Sequence, residues 1–465
     1  MDGNFDLQVN KKAFQVNMDK RIYGTFAEIG AGQEVARRFF HVGAAAGTIA
    51  KTISAYDMTF SDAIYGAAGR YVSRRRLDTM LNHEFDLLVE RLDTTVGAER
   101  NFFAFADTVA ARSFRTHDES HGWLGLRFQS SPRSPINEII LHVRMLDTDN
   151  LSQQEALGII GVNLIYGAYY LNHRPEALIG SLLDDLTNKR IEVDMIRFSG
   201  PEFVSVDNRL MALQLVSQGL TKAALFRANG EVINAADAFY KKNLLIERGS
   251  FRPVTHVTND MLDCALAMFK NEDRLRGEEP EVLMEITMQN LLSGGELDLR
   301  DFLDRVDMLA ALGRTVLISN YGHYYRLIAY LTRYSDRLIG LPMGLPALQD
   351  LFKEEYYVEL EGGILEGLGR LFKTGVKLYV YPYKEADGTI VPADQCEVAP
   401  NLKNLYEHLL ENGFIVPMAN YNPEYLGIRS ADVLAQIRKA DPAWEDQVSP
   451  EVASIIKNRN LFGYR

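Results

Sequence analysis

The sequence has few cysteines and no long apolar run. Its 465 residues include only two cysteines, Cys264 and Cys396, which excludes a disulfide framework and is typical of a reducing compartment. The longest apolar stretch, residues 156–171, contains Asn163 and is shorter than the about 20 residues of a membrane span, so we interpret it as a buried helix. The first residues lack the charged and apolar regions of a signal peptide. We therefore predict a cytoplasmic protein without a membrane partner.

Familiar catalytic and nucleotide-binding motifs are also missing. The chain has neither a G-x-x-x-x-G-K-[ST] phosphate loop nor a G-x-S-x-G nucleophile turn. Gly30 and Gly32 begin a dinucleotide fingerprint, but its third glycine is absent and no clear strand leads into it. We interpret these glycines as residues of tight turns or close helix packing. Glu28, beside them, remains a candidate ligand-binding residue.

Metal ligands are equally sparse. His117 and His121 have the i,i+4 spacing of zinc ligands on a helix, but they lie in a predicted loop and no third ligand follows. We predict no metal site. No cofactor can be named: a Mg²⁺ ion held by carboxylates and substrate phosphates fits the chemistry, although no motif encodes it.

The charge balance argues against a nucleic-acid partner. Fifty Lys and Arg residues stand against 62 Asp and Glu residues, which gives a net charge of −12. An acidic surface disfavours a polyanion but allows a local basic pocket. We therefore predict an anionic small molecule as the partner, and no nucleic-acid polymer.

The pattern along the chain predicts an α/β fold. Residues 1–135 form a glycine-rich and small-residue-rich α+β region, with a helix at 74–92 and strands at 102–110 and 122–129. Residues 136–416 alternate short apolar runs with amphipathic segments, which is typical of a mainly parallel sheet with helical crossovers. This α/β body is either an open doubly wound sheet or an irregular barrel. Residues 417–465 form a helical tail that we expect to wrap the parent domain or contact a neighbouring subunit.

Candidate site residues follow the ends of the predicted strands, because the carboxyl ends of parallel strands meet at one edge of a sheet and bind ligands there. We predict catalytic roles for four residues: His323, Asp147, Glu202 and Asp207. We predict ligand or anion binding by nine others: Arg248, Ser250, Arg252, Ser199, Asn290, Asn320, Tyr321, Arg326 and Glu28.

Two loops carry most of this prediction. Residues 246–260 place arginine side chains around a glycine, a combination that suits a phosphate or a carboxylate. The alternative is that these arginines pair with acidic side chains. Residues 319–326, SNYGHYYR, offer an amide, an imidazole and a guanidinium at one strand end. The alternative there is a capped helix start, with Asn320 as the N-cap.

Several runs resemble one widespread bacterial protein family of unestablished function. They include RIYGTFAEIGAGQEVARRFF, SAYDMTFSDAIYG, ERGSFRPVT and FLDRVDMLAALGRTVLISNYG, and the resemblance covers residues 20–465. Members carry two labels, nicotinate-nucleotide adenylyltransferase and TonB-dependent receptor. The receptor label implies a secretion signal and a large outer-membrane barrel, and the sequence pattern predicts neither.

The adenylyltransferase label implies an [HT]-x-G-H turn and a downstream I-S-x-T-x-x-R loop. The nearest match is Asn320-Tyr321-Gly322-His323, which departs at its first position and has no matching downstream loop. The label still agrees with a phosphate-handling α/β protein.

These observations lead to one main hypothesis and one alternative. The main hypothesis is a protein that binds or acts on a phosphorylated or nucleotide-like small molecule, such as a transferase-like enzyme; the reaction type stays open. The alternative is a non-catalytic scaffold that self-assembles, because the chain has 22 tyrosines, a residue type favoured at interfaces, and an irregular tail. We expect a homo-oligomer in either case.

Overall fold

The computed structural model describes residues 8–30, 32–110, 120–292, 295–373 and 375–464. The chain divides into two compact units, Met1–Ala224 and Leu225–Arg465. The three-part division at residues 135 and 416 differs from this one and stays a prediction. Within the described residues, no helix is both long enough and apolar enough to cross a membrane.

A mixed six-stranded sheet forms the centre of the first unit. Its strands are β1 (Ile22–Gly30), β2 (Ile49–Ala55), β3 (Asn101–Ala110), β4 (His121–Gln129), β5 (Ile136–Met145) and β6 (Ile191–Ser199). Their order is β2-β1-β3-β4-β5-β6. β1 runs parallel to both of its neighbours, whereas each pair from β3 to β6 is antiparallel.

Helices cover this sheet on both faces. They are α1 (Gln8–Met18), α2 (Val35–His41), α3 (Met58–Tyr65), α4 (Arg74–Val96), α5 (Asn150–Tyr170), α6 (Pro175–Ser181) and α7 (Asn208–Ser217). Alternate residues of β4, such as Leu124 and Leu126, belong to a core shared with α5. Gly125, between them, faces Leu81 of α4. Successive side chains of a strand point to opposite faces of the sheet, so β4 contacts a helix on each face.

Gly24 of β1 tests how tightly this sheet is packed. A Cβ atom at this position would lie 2.4 Å from the carbonyl oxygen and the ring of Phe103 on β3. We expect Gly24→Ala to lower the free energy of unfolding by about 1–3 kcal/mol, because the paired strand must move. Urea unfolding measures this change. Gly47→Ala is the control, since nothing lies within 4 Å of its added methyl group; equal effects of the two changes would contradict the prediction.

The second unit contains an eight-stranded sheet and a small ribbon. The sheet strands are β7 (Ala223–Phe226), β8 (Val232–Ile233), β9 (Leu244–Arg248), β10 (Glu281–Thr287), β11 (Thr315–Ser319), β12 (Ile339–Gly344), β13 (Val376–Tyr381) and β16 (Ile415–Pro417), and the ribbon strands are β14 (Tyr383–Lys384) and β15 (Ile390–Val391). The sheet order is β16-β13-β12-β9-β10-β11-β7-β8. The pairs from β16 to β11 are parallel, and β7 and β8 form an antiparallel hairpin.

The helices of this unit connect its parallel strands and form its tail. They are α8 (Ala235–Phe239), α9 (His256–Lys270), α10 (Met288–Leu291), α11 (Leu299–Ala311), α12 (Tyr324–Leu331), α13 (Leu345–Leu351), α14 (Gly363–Leu371), α15 (Lys403–Glu411), α16 (Ser430–Arg438) and α17 (Pro450–Arg459). In the tail, Trp444 is buried and the backbone N–H of Phe462 donates to Asp304 of α11 at 2.6 Å. The tail thus packs on its own unit, and self-association stays a prediction.

The predicted α/β class is confirmed. The large sheets are mostly parallel where helices cross over, and neither closes into a barrel among the described strands. β9, β10 and β11 are short, mostly buried strands, each followed by a helix, as the alternating pattern of residues 136–416 predicted. Between β7 and β9 the chain forms the hairpin of β7 and β8 and then the short helix α8.

Two details of the prediction were wrong. β5 and β6 lie within the residues for which a mainly parallel sheet was predicted, but they run antiparallel and belong to the first sheet. A strand, β1, does lead directly into Gly30.

Candidate functional site

The strand order of the second unit reverses beside β9. From β9 the chain proceeds to β10 and β11 on one side, then crosses to β12, on the other side of β9, and continues to β13. Ligand crevices form where neighbouring connections leave in opposite directions, at the carboxyl ends of the strands. β9 and β12 pair only at Leu244 with Ile339 and Leu245 with Gly340. Since β9 pairs with β10 over its whole length, the gap toward the carboxyl edge lies between β9 and β12.

A cavity of about 380 Å³ lies at this edge. It is lined by residues that follow four adjacent strands and by the segment between α13 and α14: Arg248, Thr287, Gln289, Asn290, Gly322, His323, Tyr324, Ala347, Asp350, Leu351, Tyr356 and Tyr357. The two loops selected from the sequence therefore contribute to one cavity, through Arg248 and through Gly322 and His323. Asn290 also lines it, as the position of this residue after β10 led us to expect.

Arg248 is held firmly in place. Its guanidinium donates to both carboxylate oxygens of Glu285, with Nε–Oε2 2.8 Å and Nη2–Oε1 3.0 Å. It also donates to the carbonyl oxygens of Tyr321 at 3.0 Å and Gly322 at 3.1 Å, and it lies 4.2 Å from the ring centre of Tyr324. Glu285 compensates its charge. These four bonds leave one Nη1–H of the five guanidinium N–H groups for a ligand.

His323 brings a neutral imidazole to the cavity. It is the residue before the first turn of α12, and its ring stacks on Tyr325 with a centroid distance of 5.6 Å and an angle of 10°. Partial burial and the positive charge of Arg326 lower the pKa of His323 below its ordinary value. At neutral pH the ring can therefore accept or donate a hydrogen bond without carrying a charge.

The remaining candidates of the second unit have other contacts. Arg252 contacts Asp301 of α11 at 2.5 Å, and Arg326 pairs with Glu359. Ser250 is exposed and its carbonyl oxygen accepts from Arg305 at 3.1 Å. Arg248 and Arg252 both have the acidic partners of the alternative given for residues 246–260, and Arg326 of the second loop also pairs with an acidic side chain. Their contribution to an anion site stays a prediction.

Asn320 and Tyr321 lie in the loop between β11 and α12. Asn320 is exposed and is not the N-cap of α12, a position that His323 occupies. The carbonyl oxygen of Tyr321 accepts one of the hydrogen bonds that hold Arg248 in place.

The candidate carboxylates lie in the first unit and do not meet there. Asp147 follows β5 and pairs with Arg190 at 2.9 Å. Glu202 and Ser199 lie at the end of β6, where Glu202 accepts from Ser130 at 2.7 Å. Because β5 and β6 are antiparallel, these two strand ends lie at opposite edges of the sheet.

Asp207 caps α7 by accepting from the backbone N–H of Arg209 at 2.9 Å, and it forms an ion pair with the same residue. Glu28, on β1, is buried and accepts from the backbone N–H groups of Val35 at 2.7 Å and Ala36 at 3.2 Å. Both carboxylates therefore stabilise the start of a helix.

His117 lies outside the described residues, so the expectation that His117 and His121 do not form a metal site stays a prediction. Among the residues that the structure describes, no three His, Cys, Asp or Glu side chains are grouped to hold a metal ion.

Sequence reasoning missed the part of the cavity wall contributed by α13 and the segment after it. Asp350 and Leu351 lie near the end of α13, and Tyr356 and Tyr357 follow in a short 3-10 helix. The strand-end rule points to the residues directly after β12, whereas these side chains lie one to three helical turns further along the chain. The sequence feature that could have indicated this part of the wall is the pair of adjacent tyrosines, Tyr356 and Tyr357, in an amphipathic segment.

Comparison with known proteins gives no family assignment. No family model matches the chain, and no curated protein matches it. Solved structures with some likeness include the competence/damage inducible protein CihA from Agrobacterium tumefaciens, at 14% identity and a TM-score of 0.23, covering 33% of this chain and 88% of that one. A CinA superfamily protein from Klebsiella pneumoniae has 14% identity and a TM-score of 0.25, covering 34% and 92%. Likenesses of this size carry no argument about function.

Proposed function

We propose that the cavity at the carboxyl ends of β9, β10 and β11 binds a nucleotide-like small molecule. The observation that carries the proposal is the convergence of both sequence-selected loops on one crevice at the reversal of strand order. Imidazole and phenol rings of His323, Tyr324, Tyr356 and Tyr357 line it. Flat aromatic walls suit a planar ring, and Tyr and His also offer polar groups.

Polar groups of the same cavity suit the rest of such a molecule. Thr287, Gln289 and Asn290 provide a hydroxyl and two amides that hydrogen-bond a base edge or a ribose. The remaining Nη1–H of Arg248 can donate to an acceptor such as a phosphate oxygen, but Glu285 balances the charge of this arginine. We therefore expect the ring to contribute more affinity than the phosphate. His323 is the side chain best suited to transfer a proton if a reaction takes place there.

Calorimetric titration of the full chain with nucleoside monophosphates, the matching nucleosides and sugar phosphates tests this function. We expect nucleotides and nucleosides to bind, and sugar phosphates to bind more weakly. His323→Ala and Asn290→Ala should each weaken binding about tenfold, the loss that one ring contact or hydrogen bond of about 1.4 kcal/mol produces. His408→Ala, which changes an exposed histidine of α15, is the matched control. Absence of binding by all nucleotides and nucleosides would contradict the proposal.

A further inference from the structure

A cavity of about 330 Å³ is lined by α2 and the start of α5 in the first unit. Its lining includes two arginines, two glutamates, an apolar side chain and a serine: Arg37, Arg38, Glu34, Glu155, Leu151 and Ser152. The volume lies within the range of small-molecule pockets in proteins, about 300–1,000 Å³. Charged and apolar groups therefore meet in a space that is large enough for a small ligand.

The guanidinium of Arg38 is shielded from bulk water, but none of the residues that the structure describes accepts a hydrogen bond from it. The Arg38 side chain is 15% exposed, and its ion-pair partner, Glu155, lies 3.7 Å away, beyond the usual length of a hydrogen bond. Glu155 instead accepts from Arg190 at 3.1 Å. Within the described chain, the five N–H groups of Arg38 are therefore left for a ligand or for water.

The other charged groups at this cavity are paired with one another. Arg37 donates to both carboxylate oxygens of Glu34, at 2.9 and 3.1 Å, and Arg190 donates to Glu155. Among the described residues, Arg38 alone of these three arginines has no carboxylate within hydrogen-bonding distance. Burial lowers the pKa of Arg38, because the surrounding carboxylates replace its lost hydration only in part. The guanidinium still carries its charge.

The contact between α2 and α5 fixes the position of Arg38. Gly158 of α5 faces it, since a Cβ atom there would lie 3.0 Å from Cβ of Glu34 and 3.3 Å from Nε of Arg38. A Cβ atom at Gly161, one turn further along α5, would lie 2.4 Å from Val35 of α2. The two glycines thus allow α2 to lie close on α5. A side chain that is held in place before binding loses less entropy when it binds a ligand.

We propose that this cavity binds a small carboxylate with an apolar body, and that Arg38 recognises the charged group. The planar fork of a guanidinium matches the two oxygens of a carboxylate. Glu34 and Glu155 line the same cavity, so they repel a phosphate dianion more strongly than a monoanion. Leu151, 73% exposed at the start of α5, offers an apolar contact to the body of the ligand. The site does not depend on the proposed nucleotide site, whose residues belong to the second unit.

Calorimetric titration of the full chain with isocaproate, a branched aliphatic carboxylate, tests this site. We expect isocaproate to bind more tightly than acetate, which lacks an apolar body, than its own amide, which lacks the charge, and than inorganic phosphate. Equal or tighter binding of any of these three, or absence of isocaproate binding, would overturn the proposal.

A variant of Arg38 tests the role of its guanidinium. Arg38→Gln should weaken the binding of isocaproate at least about tenfold, the loss that one charge-assisted hydrogen bond produces. Arg91→Gln is the matched control, because it removes the same charge from an exposed arginine of α4, and its affinity should be unchanged. If Arg38→Gln binds isocaproate as tightly as the unaltered protein, the proposal is wrong.

Spectra of the arginine side chains test the position of the ligand in the unaltered protein. With ¹⁵N-labelled arginine, we expect isocaproate to shift the Nε–H signal of Arg38, which Arg38→Lys assigns by its loss. His323→Ala, in the cavity of the second unit, should leave this shift unchanged. An Arg38 signal that does not move at saturating isocaproate would show that the carboxylate binds elsewhere, and would overturn the proposal.

Discussion

Replacing Glu285 by alanine is expected to lower the free energy of unfolding of the second unit by about 3–5 kcal/mol, the cost of breaking a buried ion pair by removing one partner. The Glu285 side chain is fully buried and that of Arg248 is 11% exposed. Glu285 accepts two hydrogen bonds from Arg248 and a third from the hydroxyl of Ser319 at 2.5 Å. Alanine leaves the guanidinium and the hydroxyl without these partners, and water reaches them only in part.

Urea unfolding monitored by tryptophan fluorescence measures this effect for one unit at a time. The chain has two tryptophans, Trp123 in the first unit and Trp444 in the second. In a Trp123→Phe background, the signal reports the second unit alone. Glu359→Ala is the control, because Glu359 is 70% exposed and its pair with Arg326 contributes at most about 1 kcal/mol. A loss below 1 kcal/mol for Glu285→Ala would show that Arg248 is solvated after the change.

The ion pair also shows where prediction from sequence ends. Apolar runs such as TVLIS predicted β11 because a parallel strand is covered on both faces and needs little polar alternation. The strand ends then indicated Arg248 and His323, and both residues line the same cavity. The partner of Arg248 could not be predicted, because Glu285 becomes adjacent only through the pairing of β9 with β10, which no local pattern encodes.

The first unit was harder to predict for a physical reason. β1 contains glycine, alanine and glutamate, residues that are depleted in strands, and it was interpreted as a small-residue segment. Thr25 and Glu28 are nevertheless 1% and 3% exposed, because helices and neighbouring strands surround them. β5 and β6 carry apolar residues that suit either direction of pairing, so their antiparallel arrangement was not visible in composition. The expectation of a common carboxyl edge for Asp147 and Glu202 failed for that reason.

The stability of the first unit is expected to depend on pH through Glu28. Glu28 and Asp107 are directly paired across β1 and β3. Asp107 is fully buried, and its carboxylate has no hydrogen-bond partner among the described residues. Burial raises the pKa of Glu28 to about 7, since the loss of hydration outweighs the two backbone N–H groups of α2. Burial and the nearby charge of Glu28 raise the pKa of Asp107 well above its ordinary value. Burial therefore favours the protonated form of both carboxyl groups, and the pKa of about 7 places the titration of Glu28 near neutral pH.

The direction of the effect follows from proton binding. Between the ordinary pKa of 4.5 and the folded value of about 7, the folded state holds a proton that the unfolded state has lost. The free energy of unfolding therefore falls as pH rises through this window, by up to about 1.4 kcal/mol per pH unit and about 3 kcal/mol in total. Glutamine at position 28 has no proton to lose. Relative to the unaltered protein, Glu28→Gln should thus gain about 3 kcal/mol between pH 4.5 and 8.

Urea unfolding over this pH range, followed by the fluorescence of Trp123 in a Trp444→Phe background, measures the difference between the two proteins. Glu202→Gln is the matched control, because Glu202 is exposed and should leave the pH dependence unchanged. If the difference between Glu28→Gln and the unaltered protein is constant over this pH range, folding does not raise the pKa of Glu28, and its backbone hydrogen bonds offset its burial. If Glu28→Gln instead gains stability relative to the unaltered protein as pH rises, the interior of the first sheet favours the neutral carboxyl group of Glu28. This preference acts at the position where β1 leads into α2.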